Sequence, residues 1–334
     1  MDNLTHTLTA IAISQTGLNR KTRFATVTLI LAGNAPDIDI LAGLKGSLAY
    51  LHYHRGIAHS LLGITALAFI IWGFMCWVDR KVKPRGGPPL HRGWLLLAAF
   101  LGTGSHLLLD FTNAYGVRPF LPFSGRWYAW DIMFILDPLL LALLAVGLGV
   151  PWLLRLVSEE VGGRKARLAP GAVFCLAAMV ALWGIRDFAH RRALAILDGH
   201  TYSGEVAERF SALPAVANPF TWMGVVETES SFHVVGVNAL DANRPPEELE
   251  TFAKPQPSPT LAAAMKTPAA TVFLDFARYP WAQVEESEAG YRVNISDLRF
   301  HNPSVQSRGF TLQVELAKNL QTRSANFYFA PPRR

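Results

Sequence analysis

Polar and apolar positions divide the chain into two halves with different periodicities. In the first half, four apolar stretches have the length of membrane spans. Residues 61–78, 93–109 and 168–185 carry no charge, and 132–154 carries only Asp137. A helix of ~18 residues rises about 27 Å, close to a hydrocarbon core of ~30 Å. Four such runs in succession, joined by short basic connections, predict a polytopic bundle rather than the buried helices of a soluble protein. Two shorter runs, 4–18 and 24–36, predict a helical hairpin closed by Asn19-Arg20-Lys21. At that length each arm stops partway through the bilayer or tilts into the bundle. Residues 4–18 do not read as a signal peptide, because no basic residue precedes them and His6 interrupts the run.

Beyond residue 185 the pattern changes. Residues 186–215 begin as a helix leaving the membrane and are expected to form a helical connection. From 216 onward, segments 232–237, 271–276, 291–295 and 310–316 alternate or are β-branched and are bounded by Gly, Pro and Asn. These predict strands of a small sandwich or meander. Residues 241–270, rich in Pro, Ala and Glu, read as a long connection with one short helix. The expected fold class is α+β. A membrane domain (1–185) of four spans plus the N-terminal hairpin leads through 186–215 into a β-rich extracytoplasmic domain (216–334). His233 and His301 stand alone in that domain and are not read as ligands.

Composition sharpens this picture. With 51% hydrophobic and 17% charged residues among 334, the chain is too apolar to be disordered. Cys76 and Cys175 lie inside apolar runs and read as small buried hydrophobes. A net charge of +6 would suit an anionic partner, but its location argues otherwise. Residues 1–185 hold 16 Lys and Arg against 9 Asp and Glu, and the remainder holds 15 against 16. Twelve of those 16 lie in three connections: Arg20, Lys21 and Arg23; Arg80, Lys81, Lys83, Arg85 and Arg92; Arg155, Arg164, Lys165 and Arg167. Alternating helices put all three on one side, which the positive-inside rule makes cytoplasmic. The excess charge therefore reports orientation, and no nucleic acid partner is expected. The opposite helix ends and the C-terminal domain then face outward.

The candidate chemistry converges on those outward ends. His6 begins the first helix and Asp37 and Asp39 follow Pro36. His52, His54 and His59 precede the first span, His106 and Asp110 close the second, and Asp131 opens the third with Asp137 inside it. His106 and Asp110 are i, i+4 and share a helix face. A carboxylate within a span costs ~2.5–3.5 kcal/mol and usually marks function, unless Asp137 pairs with Arg118 or Arg126. Five histidines and at least four carboxylates exceed the need of one ion, so two or three are expected. Mixed nitrogen and oxygen donors favour Zn²⁺, with Mn²⁺ or Fe²⁺ next, over Mg²⁺.

Several motifs keep a fixed order: Asp2-Asn-Leu-Thr-His6-Thr, Pro36-Asp-Ile-Asp39, His54-Arg-Gly-Ile-Ala-His59-Ser, His106-Leu-Leu-Leu-Asp110-Phe-Thr112-Asn-Ala-Tyr-Gly116, and Trp130-Asp131 through Asp137-Pro138. In these the chain resembles the YdjM/YbcI-type family of inner-membrane proteins, read as metal-dependent hydrolases, over residues 1–185. The resemblance implies a bacterial inner membrane, with the outward ends and the C-terminal domain in the periplasm, and a membrane-embedded metal site using His6, Asp37, His54, His59, His106 and Asp110. Ala58 stands where family members often carry Thr, which removes a hydroxyl beside the second His. More distantly, the His-x-x-x-Asp element is similar to that of zinc-dependent phospholipase C enzymes.

The resulting expectation is hydrolysis of a phosphoester in a membrane lipid or lipid-linked substrate at the outer leaflet. Asp39, Arg55 and Asp131 are assigned to the chemistry, with Arg55 offered to a non-bridging phosphoryl oxygen. Arg118, Arg126 and Trp127, in a loop with Phe120, Phe123, Tyr128 and Trp130, are assigned to an anionic head group. An interfacial aromatic belt explains those rings equally well. His52, Thr112 and Asp137 are read as supports behind the ligands. Two rivals stand beside the hydrolase: an ion or metal transporter, and a non-catalytic scaffold with a structural metal. Polar residues at one end, rather than along a path, and the absence of an evident inverted repeat count against transport.

Overall fold

The computed structural model describes residues 1–82, 87–160, 168–303 and 307–330. Lys83, Arg85, Arg164, Lys165 and Arg167, counted above for orientation, lie outside the described residues. The chain is mixed α+β and forms two compact units. The first comprises Met1–Asp39 and Arg55–Asp187, and the second Ile40–His54 and Phe188–Arg334. Residues 40–54, assigned by sequence to the membrane half, thus fold with the second unit.

The first unit is helical. Helix α1 (Asn3–Gln15) and α2 (Ala25–Asn34) form the expected hairpin around a 3-10 turn at Leu18–Arg20. Asp2 caps α1 by accepting from Thr5 N at 3.0 Å. After the short α3 (Ser47–Tyr53), which belongs to the second unit, come α4 (Leu61–Lys81), α5 (Arg92–Phe111), α6 (Pro138–Glu160) and α7 (Ala169–Asp198). Among the described residues, five helical stretches are long and apolar enough to cross a membrane, one more than expected. The addition is Ala25–Lys45, where a 3-10 segment (Ala35–Lys45) prolongs α2. Sequence reading stopped at Pro36 because proline breaks a helix interior. Here Pro36 is the second residue of a new segment, where its missing N–H costs little.

Close approach of small residues packs this unit. A Cβ on Gly102 of α5 would meet Ala32 Cβ of α2 at 2.6 Å. A Cβ on Gly147 of α6 would meet Cys175 Cβ of α7 at 2.4 Å. Cys175 is fully buried, as expected of a small hydrophobe, whereas Cys76, expected to be buried as well, is only partly so. The third span starts later than predicted, because Asp137 and Pro138 open α6. Asp137 Oδ1 accepts from Leu139 N at 3.1 Å and Leu140 N at 3.0 Å, and proline is preorganised for the first helical position. Asp137 is therefore a helix cap, not a residue two turns inside a span. Its ion-pair partner is Arg186 of α7 at 2.8 Å, not Arg118 or Arg126.

The second unit is β-rich. Helix α7 runs unbroken to Asp198, and the first strands follow at once, inside the 186–215 segment expected to be a helical connection. A small ribbon, β1 (Thr201–Tyr202) with β2 (Glu205–Val206), precedes an antiparallel meander. That meander is β3 (Arg209–Pro214), β4 (Thr221–Glu227), β5 (Ser231–Asn238) and β6 (Glu247–Ala253). Helices α8 (Pro259–Met265) and α9 (Pro268–Phe276) lead to a second four-stranded antiparallel sheet. It contains β7 (Pro280–Ser287), β8 (Gly290–Asp297), β11 (Thr311–Leu316) and β12 (Thr322–Tyr328), with a ribbon of β9 (His301–Asn302) and β10 (Ser307–Arg308) between β8 and β11 in the chain. Ala189, Ala193 and Leu197 of α7 pack on Trp222, Val226 and Val235.

Two further expectations fail in this unit. Segment 271–276 is helical although its residues are β-branched and aromatic, because the Thr267 side chain caps Ala270 N and Pro268 starts the helix. Segment 241–270, read as a connection with one helix, contains β6. That strand is a polar edge, and its glutamates hid it from a hydrophobic-pattern reading.

Candidate metal centre

The site lies wholly in the first unit, where α1, α2, α5 and two 3-10 segments meet. Helix α5 supplies His106 and, one turn later, Asp110, both buried. The 3-10 segment after α2 supplies Asp37, and the 3-10 turn Ile57–His59 supplies His59. Ser60 fixes that turn: its hydroxyl donates to Ile57 O at 2.7 Å and accepts from Gly63 N at 3.0 Å, capping α4. A side chain at Gly63 would strike Ile57 O.

Four atoms converge: Asp37 Oδ1, His59 Nε2, His106 Nε2 and Asp110 Oδ2. His59 Nε2 is 3.4 Å from both carboxylate oxygens. His106 Nε2 is 3.6 Å from Asp37 Oδ1, 3.5 Å from Asp110 Oδ2 and 3.0 Å from His59 Nε2. In a tetrahedral site with metal–ligand bonds of ~2.1 Å, neighbouring donors stand about 3.4 Å apart. The spacing therefore fits one divalent ion, and two carboxylates with two neutral imidazoles balance its charge. Asp110 Oδ2 is buried and has no hydrogen-bond partner among the described residues, which is costly unless a cation meets it. Burial alone would depress the His59 imidazolium, but the carboxylates of Asp110, Asp37 and Asp39 outweigh it and raise its pKa to about 10. The centre calls for positive charge, carried by a proton or by an ion.

The imidazoles are held from behind. His106 Nδ1 lies 2.8 Å from Gly33 O, which selects the tautomer whose Nε2 lone pair faces the cluster. His59 Nδ1 faces Asp39 Oδ2 at 3.0 Å, and that oxygen also accepts from Arg55 N at 2.9 Å. Asp39, assigned by sequence to the chemistry, stands behind a histidine. His6 stacks on His106 with ring centroids 3.9 Å apart, and its Nε2 is 3.5 Å from Asp110 Oδ1, outside the four-atom cage. The Met1 amino group also contacts Asp110 Oδ1. His54 is counted with the second unit, where its ring stacks on Tyr50. His52 is exposed and packs edge-on against Tyr53.

Arg55 differs most from expectation. It is buried, at a left-handed φ of 53°, and its guanidinium points into the protein. One terminal nitrogen donates to Asn113 Oδ1 at 2.9 Å, Gly116 O at 3.1 Å and Asp110 O at 3.3 Å. The other donates to Asp110 Oδ1 at 3.1 Å. The fork offered to a phosphoryl oxygen is thus engaged in holding Asp110. Thr112 bonds through its hydroxyl to Leu109 O at 2.6 Å, a local turn contact. Asp131, at φ 59°, is buried in the loop before α6 and contributes no atom to the four-atom cage. Arg118 is buried against the Trp127 ring at 4.4 Å, and the exposed Arg126 lies over Tyr128 at 5.3 Å.

Gly33, Asn113 and Arg186 escaped the sequence reading. Gly33 acts through a backbone oxygen that no motif displays. Asn113 sits three residues after Asp110, so its place in that motif was the available signal. Arg186 is an ionisable residue at the end of an apolar run and needed a partner. In the β unit, His233 bridges Ser231 Oγ and Glu248 Oε1, each at 2.9 Å, and His301 pairs with Glu250 at 2.6 Å. Neither histidine belongs to a metal-ligand group among the described residues.

No solved structure matches the chain. The uncharacterized protein YfhP of Bacillus subtilis (strain 168) is 31% identical over 147 residues, covering 41% of this chain and 42% of that protein. The match thus spans less than half of the relative. The family model of the YdjM inner membrane protein matches residues 1–193, more than half of the chain and all of the residues that form the cluster. The chain belongs to the YdjM inner-membrane protein family.

Proposed function

We propose that the protein is a membrane-bound, metal-dependent hydrolase acting on a phosphoester of a lipid or lipid-linked substrate. The observation that carries this reading is the cage of Asp37, His59, His106 and Asp110, with donors spaced for one divalent ion, Zn²⁺ first. Arg55 already neutralises the other oxygen of Asp110, so these four donors would hold one ion. Such an ion supplies Lewis acidity toward water and toward phosphoryl oxygens. His59 and His106 would hold it through nitrogens oriented by Asp39 and Gly33. Asp37 is the most accessible of the four side chains and marks the side from which substrate approaches. Its second oxygen, outside the cage, would take the proton of the attacking water as the new P–O bond forms and pass it to the departing ester oxygen as that P–O bond breaks. Arg118 on Trp127 and Arg126 on Tyr128 attract the anionic head group, with exposed Phe120 and Phe123 at the membrane surface.

Charge distribution supports an outward-facing site and a periplasmic C-terminal unit. Arg23 pairs with Asp79 at 2.8 Å, which brings the hairpin tip and the end of α4 together, away from the cluster. Basic connections at that end then mark the cytoplasmic side.

The test is metal content and phosphate release from detergent-solubilised protein, using a lipid phosphomonoester and a lipid-linked diphosphate. His106→Ala and Asp110→Ala are expected to lose both metal and activity. Equal activity in all three proteins sinks the assignment. A second reading, a structural ion in a scaffold, is favoured by the presence of four protein donors, since closed four-coordinate sites are usually structural. Cobalt substitution separates the two. A visible spectrum that changes on adding phosphate shows an open position, and an unchanged one favours the scaffold.

A further inference from the structure

The metal cluster occupies one end of the helical unit and leaves the other end unexplained. On α5, Trp94 precedes His106 by 12 residues, about 18 Å along the axis at ~1.5 Å per residue. Near Trp94 lies an open cavity of about 560 Å³ lined by Ile13, Leu18 and Leu101 together with Arg20 and Lys21. A second cavity of about 700 Å³ shares Arg20 and runs along Pro170, Val173 and Phe174 of α7. Both volumes fall within the roughly 300–1,000 Å³ typical of ligand sites. No acidic side chain lines either cavity among the described residues.

The charges here differ from their neighbour. Arg23 is neutralised by Asp79. Arg20 is exposed and makes no ion pair among the described residues, and the Lys21 ammonium lies 5.6 Å over the Trp94 ring. Two available cations in the hairpin turn, beside apolar troughs walled by the candidate spans α5 and α7, match a molecule with an anionic head and hydrocarbon tails. A soluble anion would leave the apolar walls uncovered, and a zwitterionic lipid would cancel much of its attraction to the cations. Basic pockets between spanning helices characteristically hold anionic head groups.

We propose that these joined cavities bind an anionic phospholipid of the adjoining leaflet, its phosphate between Arg20 and Lys21 and an acyl chain along Val173 and Phe174. The site is separate from the metal cluster and does not depend on its chemistry.

Native mass spectrometry of the delipidated full chain in detergent tests this. The protein is titrated with phosphatidylglycerol, with phosphatidylcholine of the same chains, and with inorganic phosphate. Wild type is expected to retain phosphatidylglycerol selectively. Each basic residue near an anionic lipid contributes roughly a factor of five, so Arg20→Gln/Lys21→Gln lowers retention by about 25-fold with metal content unchanged. The charge-conserving Arg20→Lys/Lys21→Arg stays within about twofold, which separates lost charge from lost folding. Undiminished selectivity in the double Gln variant overturns the proposal. So does equal retention of phosphatidylcholine, or saturation by inorganic phosphate alone.

Discussion

Asp39 is the sharpest probe of the candidate metal centre, because it touches a candidate ligand without belonging to the cage. Its Oδ2 lies 3.0 Å from His59 Nδ1 and accepts from Arg55 N at 2.9 Å. A carboxylate behind a ligating histidine fixes the ring and raises its basicity, and losing it costs about 10–100-fold in metal affinity. That corresponds to about 1.4–2.7 kcal/mol. The two contributions separate by substitution. Asp39→Asn keeps an acceptor for the ring and removes the charge, so it falls near the tenfold end. Asp39→Ala removes both and falls near the hundredfold end. Asp37→Asn deletes a charged donor from the cage and weakens binding more than either. Zinc affinity is measured in detergent at neutral pH by competition with a chromophoric chelator, with circular dichroism confirming the helical unit. An Asp39→Ala affinity within about twofold of wild type refutes the arrangement. So does an Asp37→Asn variant that binds more tightly than Asp39→Ala.

Packing and charge elsewhere in the bundle give two more tests. Gly102→Ala places a methyl 2.6 Å from Ala32 Cβ and 2.9 Å from Leu29 O. Forcing α2 from α5 costs about 1–3 kcal/mol in thermal unfolding and lowers zinc affinity through the Gly33–His106 contact. Gly104→Ala meets nothing within 4 Å and serves as the control, expected to stay within about 1 kcal/mol of wild type; equal losses in the two variants would contradict the packing argument. Arg186→Met strands Asp137, both side chains being fully buried, and costs about 3–5 kcal/mol. Adding Asp137→Asn, which still caps α6, recovers at least about 1 kcal/mol, and a double variant no better than the single one rejects the pairing.

The spans were legible because charges are expensive in lipid, so long uncharged runs leave few alternatives. His106 and Asp110 were legible for a related reason: two polar residues one turn apart at the end of an apolar helix face the same way. What escaped were contacts whose partners lie far along the chain. Arg55 belongs to a motif, but where its fork points depends on acceptors at Asn113 and Gly116, some sixty residues later. Asp137 was expected to pair with an arginine nearby in the loop, whereas α7 brings Arg186 from 49 positions away. In the β unit the errors were local. The caps Thr267 and Pro268 overrode the strand propensity of Thr271-Val-Phe-Leu, and the edge position of β6 tolerated glutamates that a buried strand would not.

Asp110 links the cage to the loop above it. One of its oxygens faces the cage, and the other accepts from Arg55. The same guanidinium holds Asn113 Oδ1 and Gly116 O, and Asn113 Oδ1 also accepts from Tyr115 N at 3.0 Å. Val117 then pairs with Tyr128 across the loop through two backbone hydrogen bonds, at 2.8 and 2.9 Å. Arg118 and Trp127 are the next residues inward along those two strands of the loop. The loop is therefore tied through Arg55 to Asp110, a candidate metal ligand, by a short chain of buried hydrogen bonds. This accounts for an arginine held at a left-handed φ with its charge turned away from solvent. In that position its fork is filled by Asp110, Asn113 and Gly116, which leaves the guanidinium no free edge to turn toward solvent.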